Sequence, residues 1–326
     1  MVGQFLNFVN IHYSPEKKFD RITWMISTYK HNKVTWIDLE TPTNDEVRKL
    51  VEKYSIDPVV GNELLNPSAK PHINFHDTYI YLILHFPTNN SDEGNVEEVD
   101  FIIGKDFIIT TRYSAVDALM QFSKVFEVNS LLEKSNLGEH SGHIFFQMIT
   151  NLYKSLLDQL EHVKDLIEDV EDKVFSGQES KMVTNISRLN RRLLNFKEAI
   201  SLHYEILKIF EALGSKLFDA KFDNSLRLIT SEYIKVQHSL DNTREYLLEI
   251  RRTNDSLLAT KQNEIMKNLT IMTFIMLPLT LITGIFGMNT HATPIVEMEN
   301  DFWVVIILMI VVSITTTIFF KWRKWM

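Results

Sequence analysis

The stretch NEIMKNLTIMTFIMLPLTLITGIFGMN, residues 263–289, decides the fold of this chain. No Asp, Glu, Lys or Arg occurs from residue 268 to residue 296, and the run LTIMTFIMLPLTLITGIF has about the length of a membrane-crossing helix. A second run, FWVVIILMIVVSITTTIFF at residues 302–320, is 19 residues long and also uncharged. Core helices of soluble proteins normally have a polar face, which the second run lacks. We therefore expect both runs to cross a lipid bilayer as a helical hairpin.

Charged residues around the two runs predict their orientation. Basic residues lie before the first run and after the second. They are Arg251, Arg252, Lys261, Lys267, Lys321, Arg323 and Lys324. The linker between the runs carries Glu297, Glu299 and Asp301 and no basic residue. Because Lys and Arg accumulate on the cytoplasmic side of membrane proteins, we predict a multi-pass cell-membrane protein with both termini in the cytoplasm.

The net charge narrows the range of partners. It is -8, and the three linker acids cancel the three basic residues of the tail, so the whole excess lies in residues 1–267. An acidic cytoplasmic body argues against nucleic acid as a partner and suits cations. The chain has no cysteine, which excludes disulfides and thiolate metal sites. The N-terminal residues show no basic region followed by an apolar core, so we expect no signal peptide.

The pattern of apolar residues divides the chain before the hairpin at about residue 140. The segments KVTWIDLE, DTYIYLILHFP and VDFIIGKDFIITTR have strand patterns, with GKD as a hairpin turn, and TPTNDEVRKLVEKYSI has a helix pattern. Later apolar residues recur every three or four positions, with breaks at residues 176–180 and around 212–224. We therefore predict an α+β membrane protein with six segments: a cytoplasmic α/β domain (1–140), a helical stalk (141–265), a first membrane helix continuous with the stalk (266–288), an external loop (289–301), a second membrane helix (302–320) and a basic cytoplasmic tail (321–326).

One side of the first membrane helix is polar or small, and we call it the pore stripe. It is formed by Asn263, Met266, Thr270, Thr273, Leu277, Thr280, Gly284 and Gly287. In one interpretation these residues let helices pack closely, with the threonine hydroxyls bonded back to backbone carbonyls. In the other they line a water-filled pore. A single hairpin cannot enclose a pore, so the second interpretation requires a closed ring of identical copies.

An uncharged stripe suits a strongly hydrated dication. Mg²⁺ gives up its water reluctantly and is often bound through that water, so hydroxyl, amide and carbonyl oxygens can hold its hydration shell. Met266, Leu269 and Leu277 would form apolar constrictions that gate by dewetting. Where the first helix leaves the membrane, Gly287 and Asn289 would supply backbone and side-chain oxygens for a neutral mouth.

Residues 263–289 resemble the signature of the CorA family of divalent-cation channels. In that family an Asn-Glu-x-Met-Lys-x-Leu-Thr segment leads into a proline-containing span that ends in Gly-Met-Asn. The tail KWRKWM and, more loosely, the segments DPVVGNELLNPSAKPHINFHDTYIYLIL and FIIGKDFIITTR are similar to other parts of the family. The resemblance implies a homopentamer with a funnel-shaped cytoplasmic domain that transports Mg²⁺, with Co²⁺ or other divalent cations as further ions.

The resemblance also implies roles for single residues. Gly287, Met288 and Asn289 would form the selectivity filter, Asn263 a ring at the cytoplasmic end, and Met266 with Leu269 the gate. Thr270, Thr273, Leu277, Thr280 and Gly284 would line the pore between them. Bound cytoplasmic Mg²⁺ would close the pore, with Glu63 as a regulatory ligand. Its partner on the stalk is left open: Glu232 and Asp241 are candidates, and both are equally compatible with solvated surface acids. Phe286 and Glu63 stand where the family commonly has Tyr and Asp.

Other candidate sites are weaker. The acidic run DLIEDVEDK at residues 165–173 is either a divalent site or the solvated face of a helix, and we favour the solvated face. The two histidines of EHSGH at residues 139–143 are weak candidates for metal ligands. No catalytic motif occurs, so we expect no enzyme. The favoured function is a Mg²⁺ channel driven by the membrane potential; the alternatives are a Zn²⁺, Co²⁺ or Ni²⁺ transporter of the same superfamily and a membrane-anchored coiled-coil scaffold.

Overall fold

The computed structural model describes residues 26–87, 96–114, 116–131, 140–218, 222–288 and 300–323. The chain forms two compact units. The first consists of Met1–Gln159 and Asn195–His238, and the second of Leu160–Leu194 and Ser239–Met326. The first unit contains the mixed α/β part of the fold, and the second contains the apolar helices.

Six strands of the described residues form one mixed sheet. They are β1 (Ile26–His31), β2 (Val34–Glu40), β3 (Ile73–His76), β4 (Tyr79–Pro87), β5 (Val96–Gly104) and β6 (Phe107–Arg112), in the spatial order β1-β2-β6-β5-β4-β3. All neighbouring strands are antiparallel except β2 and β6, which are parallel. Strands β5 and β6 pair with Ile103 opposite Ile108, which confirms the predicted hairpin turn at GKD.

Two short helices cover one face of the sheet. Helix α1 (Asn44–Tyr54) begins at Thr43, whose hydroxyl accepts from the N–H of Glu46 while the Glu46 carboxylate accepts from the N–H of Thr43. This reciprocal bonding satisfies backbone donors that have no partner at a helix start. Helix α2 (Pro58–Glu63) is capped by Asp57, which accepts from the N–H of Val59 at 2.8 Å. The two helices bury a shared core with the sheet: Ile37, Leu39, Val47, Leu50, Ile56, Val60, Leu64, Tyr79, Tyr81, Ile83, Ile102 and Ile109.

Longer helices follow in the rest of the chain. They are α3 (Asp117–Leu131), α4 (Ser141–Phe175), α5 (Glu179–Ile200), α6 (His203–Leu217), α7 (Asp223–Phe286) and α8 (Asp301–Trp322). Aromatic contacts attach three of them to the other face of the sheet. Trp36 packs against Phe122 and Phe126 of α3, and Phe101 packs against Phe145 of α4. Phe145 in turn contacts Phe210 of α6.

The break between α5 and α6 is not evident from apolar spacing, which predicted the next interruption only near residue 212. A buried histidine lies at the start of α6. His203 donates from Nε2 to the carbonyl of His85 at 2.8 Å and accepts at Nδ1 from the Tyr153 hydroxyl at 3.0 Å. Burial lowers the pKa of His203 to about 3, so the ring stays neutral and fits this pair of bonds.

Helix α7 is continuous into the first apolar run. The predicted helix from about residue 225 to residue 286 is confirmed, although Pro278 lies inside it. Proline removes the N–H that would bond to the carbonyl of Phe274, an interruption that membrane helices tolerate. Among the described residues, two helices are long and apolar enough to cross a membrane: Asp223–Phe286 and Phe302–Trp322.

A buried ion pair ties strand β2 to β6. Arg112 Nη2 lies 3.2 Å from Asp38 Oδ2 and 3.1 Å from Glu40 Oε2. The Thr110 hydroxyl donates to Asp38 at 2.6 Å and accepts from the indole N–H of Trp36 at 3.0 Å. The side chains of Arg112 and Asp38 are 8% and 9% exposed. Because little water reaches them, each charge needs the other to compensate it.

We predict that Arg112→Met destabilises the first unit by about 3–5 kcal/mol, because it leaves the buried carboxylate of Asp38 without its cation. Thermal unfolding of the detergent-solubilised chain, followed by circular dichroism, measures the change. Arg48→Met is the matched control. Arg48 pairs with Asp45 at the surface, 68% exposed, and its loss should change stability by less than about 1 kcal/mol. Equal midpoints for the two variants would contradict the prediction.

Candidate functional site

The apolar part of α7 has one covered side within a single chain. Side chains of reduced exposure recur there at helical spacing: Ile271, Ile275, Pro278, Leu279, Ile282 and Phe286. Helix α8 has a row of the same kind: Val305, Ile306, Met309, Val312, Ser313, Thr316, Thr317 and Phe320. The rings of Phe274 and Phe320 lie 5.8 Å apart. Helix α8 therefore packs on this side of α7, which we call the covered face.

The pore stripe lies on the opposite side of α7. At about 100° per residue, its mean direction is about half a turn from that of the covered face. Met266 and Leu277 are 54% and 61% exposed, and Thr273 and Thr280 are exposed as well, whereas Thr270 is partly buried. The described residues of one chain therefore leave most of the stripe uncovered.

The threonine hydroxyls of the stripe are bonded back to their own helix. Thr270 donates to the carbonyl of Met266 at 2.7 Å, and Thr273 donates to Leu269 at 2.9 Å. Thr280 donates in the same way to the residue four positions before it, at 2.9 Å. This bonding is the one predicted if the stripe serves helix packing. It also determines which hydrogen-bonding groups of the stripe stay available to a ligand. Each hydroxyl uses its proton internally and keeps oxygen lone pairs as acceptors.

An acceptor wall matches a hydrated dication. Water bound to Mg²⁺ turns its oxygen to the ion and its hydrogens outward, and the ion gives up that water reluctantly. A wall of hydroxyl oxygens can therefore accept from the hydration shell without replacing it. The stripe provides such acceptors, at Thr273 and Thr280, about two helical turns apart along the exposed side.

The C-terminal end of α7 requires a glycine at position 287. Gly287 donates to the carbonyl of Thr283 at 2.9 Å, and Met288 donates to Ile285 at 3.3 Å. A Cβ added at Gly287 would lie 2.8 Å from the Thr283 carbonyl oxygen, closer than such atoms approach in proteins. At Gly284 the added atom would meet nothing within 4 Å of the described chain. The third predicted filter residue, Asn289, lies outside the described residues.

The N-terminal end of the stripe, predicted to face the cytoplasm, is exposed in the described chain. Asn263, Met266 and Leu269 are all exposed, and they occupy the last two turns of α7 before its apolar part. Asn263 and Met266 lie on the stripe, and Leu269 lies next to it. The structure therefore presents the predicted ring and gate residues together on one stretch of helix, available to other copies of the chain.

The predicted regulatory acid, Glu63, ends helix α2. Its carboxylate lies 3.4 Å from His72 Nε2, and its backbone carbonyl accepts from the Tyr113 hydroxyl at 3.3 Å. Of the two candidate stalk partners, Glu232 pairs with Lys235 at 2.7 Å and Asp241 is exposed. In the described part of the chain, no three His, Asp or Glu side chains are grouped so that they could hold a metal ion.

Sequence reasoning missed a buried acid pair beneath Glu63. Asp100 is 1% exposed and accepts from the Tyr113 hydroxyl at 3.2 Å. Its neighbour Glu98 accepts from the N–H of Ser68 at 2.7 Å. Burial, followed by the charge of Glu98, raises the pKa of Asp100 well above its usual range. The sequence signal was an acid at an inward position of β5, where alternation predicts an apolar residue.

The other acidic and histidine candidates have ordinary contacts. In the run at residues 165–173, Asp169 pairs with Lys173 and Glu171 accepts from the hydroxyl of Tyr246. Burial and the bond to Glu171 raise the pKa of Tyr246 to about 12. His140 and His143 stack with ring centroids 4.2 Å apart. These contacts favour the interpretation of both motifs as structural.

The sequence and the fold are both similar to those of known proteins. The family described as CorA-like Mg²⁺ transporter protein matches residues 31–322. A cobalt/magnesium transport protein CorA from Thermotoga maritima is 24% identical over 295 residues, which cover 90% of this chain and 83% of that protein. A protein of the same description from Methanocaldococcus jannaschii is 24% identical over 313 residues, 95% of each chain. The complete structure of the CorA magnesium transporter from M. jannaschii has a TM-score of 0.78 at 21% identity, and the match covers 91% of this chain and 93% of that one.

The fold and the two apolar helices define a membrane protein with an N-terminal α/β domain and a long stalk helix. The match over residues 31–322 shows that the chain belongs to the CorA-like Mg²⁺ transporter family. The predicted fold class and the resemblance to this family are therefore confirmed. The family consists of transporters, which also confirms the expectation that the chain is not an enzyme.

We predict that Gly287→Ala lowers divalent-cation uptake by about tenfold or more. The added methyl group forces the backbone away from the Thr283 carbonyl, and overpacking of this kind costs about 1–3 kcal/mol. Uptake of ⁵⁷Co or ²⁸Mg into proteoliposomes measures the loss. Gly284→Ala serves for comparison and should lose less, because its methyl group meets no atom within 4 Å of the described chain. A larger loss for Gly284→Ala would contradict the steric explanation.

Proposed function

We propose that the chain forms a Mg²⁺ channel in the cell membrane, with α7 lining the pore. The observation that carries the proposal is the placement of the two sides of α7. The covered face is occupied by α8, and the opposite side presents hydroxyl oxygens that hydrocarbon cannot satisfy. A water-filled axis shared by several copies satisfies them.

The ring consists of five copies in this proposal, with both termini in the cytoplasm. The number five rests on the resemblance to the CorA family, and the need for a ring rests on geometry, because one hairpin cannot surround a pore. The orientation rests on the basic residues beside the hairpin, such as Lys267 and Lys321, and on the acids of the linker.

Three levels of the pore then have separate tasks. At the outer mouth, Gly287, Met288 and Asn289 accept hydrogen bonds from the water of the arriving ion. Along the membrane, Thr280, Thr273 and Thr270 continue the acceptor wall, with Gly284 leaving room and Leu277 narrowing the passage. At the cytoplasmic end, Met266 and Leu269 close the passage by excluding water, and Asn263 forms a last polar ring.

The membrane potential supplies the driving force. A dication that moves inward gains about 4.6 kcal/mol per 100 mV, twice the ~2.3 kcal/mol for one charge. A passive channel therefore suffices for uptake. Closure at high cytoplasmic Mg²⁺ prevents overload, and Glu63 would bind the regulatory ion together with an acid of a neighbouring subunit, either Glu232 or Asp241.

Mg²⁺ is the favoured ion, and Co²⁺ is a second substrate. The curated relatives are described as cobalt/magnesium or magnesium transport proteins, and the Gly-Met-Asn sequence is typical of that group. The Zn²⁺ or Ni²⁺ alternative is distinguished by ion competition. Recognition through bound water suits Mg²⁺, which gives up its water reluctantly.

Currents from the purified protein in a planar bilayer test the proposal. Under a Mg²⁺ gradient we expect an inward current that Asn289→Ala reduces by about tenfold, since each subunit loses one acceptor at the mouth. Asn74→Ala is the matched control, because Asn74 is exposed on the edge strand β3. A larger current with Zn²⁺ than with Mg²⁺ would favour the zinc alternative. No current under any divalent gradient would favour the scaffold and overturn the channel.

A further inference from the structure

The stretch of α7 just before the membrane has few neighbours in the chain. Residues 259–269 are all exposed, and the apolar part with its covered face begins only at residues 270 and 271. Among the described side chains of this stretch, Lys261 is the one with a polar contact to another helix. It lies two positions before Asn263 and five before Met266.

Lys261 reaches the turn between α4 and α5. Its Nζ lies 3.1 Å from the carboxylate of Glu179, the first residue of α5, and 3.5 Å from the carbonyl of Gly177. We call these two bonds the Lys261 contact. The side chain of Glu179 is 10% exposed and that of Lys261 is 51% exposed. The ammonium group is thus bound at the surface by a carboxylate held inside the turn.

The turn itself has a fixed geometry. Gly177 has a φ of 85°, a left-handed conformation that favours glycine. The N–H of Gln178 bonds to the carbonyl of Lys173 at 3.0 Å, and the N–H of Gly177 bonds to Val174 at 3.2 Å. This pair of bonds is a Schellman ending of α4, which orders the last carbonyls of a helix. The Gly177 carbonyl is therefore held in place as an acceptor for Lys261.

The charge state of Glu179 favours the contact. The backbone N–H of Glu179 and then the Lys261 ammonium lower the pKa of Glu179, so the carboxylate is ionised at neutral pH. A second bond joins α7 to α4 nearer the middle of α7, where the Tyr246 hydroxyl donates to Glu171. The Lys261 contact is thus the attachment nearer to the gate.

We propose that the Lys261 contact is a positioning contact that couples the α4–α5 turn to the gate of the channel. It holds the exposed stretch of α7 at residues 259–269, so a displacement of the turn moves Asn263 and Met266 on the same helix. The inference rests on the proposed function, since a gate exists only if α7 lines a pore. The role of Lys261 is indirect: it contacts no ion in the pore and acts through the helix.

The size of the effect follows from the exposure of the pair. A partly exposed ion pair shifts an equilibrium by about twofold. In a ring whose subunits close together, these factors multiply across the copies. Breaking the contact uncouples the turn from the gate, so more cytoplasmic Mg²⁺ is needed for closure. We expect the half-closing Mg²⁺ concentration to rise by about threefold or more.

Charge reversal and charge exchange test the inference in the full chain. Planar-bilayer currents are recorded at increasing cytoplasmic Mg²⁺ for Lys261→Glu, for Glu179→Lys and for the double variant that exchanges the two charges. Each single reversal should raise the half-closing concentration, and the exchange should return it to within about twofold of the wild type. Lys261→Arg keeps the charge and should also stay near the wild type. The maximum current at low Mg²⁺ should be the same in all variants, which a general loss of folding would not preserve.

Lys208→Glu is the control for a change of charge alone. Lys208 pairs with Glu211 within α6 and is 47% exposed, close to the exposure of Lys261, but it makes no contact with α7 near the gate. Single reversals that close like the wild type, or an exchange that fails to restore closure, would overturn the Lys261 contact while the channel stands. A wild type that is silent in every divalent gradient would overturn the channel and the contact together.

Discussion

Helix α7 has two chemically different sides along its apolar part, and one partner helix covers only one of them. Helix α8 packs over the row from Ile271 to Phe286, where side chains are apolar. On the opposite side, threonine hydroxyls bond inward to their own helix and keep acceptor oxygens outward. Hydrocarbon has no donors for these oxygens, so polar positions at membrane depth turn to protein or to water. This constraint is the basis of our proposal that several copies assemble around a wet axis.

The continuity of α7 places the predicted gate residues on the same helix as the residues of the predicted stalk. The helix runs from Asp223 to Phe286 without a break, so the gate residues belong to the same element as the cytoplasmic contacts. The end of α7 before the membrane is exposed and is held by Lys261. A helix that is held at one exposed point can transmit a displacement of its attachment, whereas a fully packed helix resists it. In the proposed channel, transport and its control therefore depend on the same helix.

Sequence patterns predicted the elements that depend only on residues close together in the chain. The two apolar runs, the stripe at three-four spacing, the start of α1 near Thr43 and the turn at GKD all follow from hydropathy, capping and turn chemistry. The short helix α2, the break before His203 and the burial of Asp100 were not predictable in this way, because each depends on contacts between segments far apart in the chain. The Lys261 contact joins residues 82 positions apart, and no spacing rule signals it. For the filter, glycine at position 287 was predicted, but its close approach to the Thr283 carbonyl required coordinates.

Thiol accessibility tests the orientation of α7 most directly. The chain has no cysteine, so a single introduced thiol reports without background. A water-soluble, charged thiol reagent should modify Thr273→Cys and block the Mg²⁺ current, and it should leave Ile275→Cys, on the covered face, unmodified. Protection of Thr273→Cys in conducting protein, with modification at Ile275→Cys instead, would contradict a water-filled axis on the threonine side.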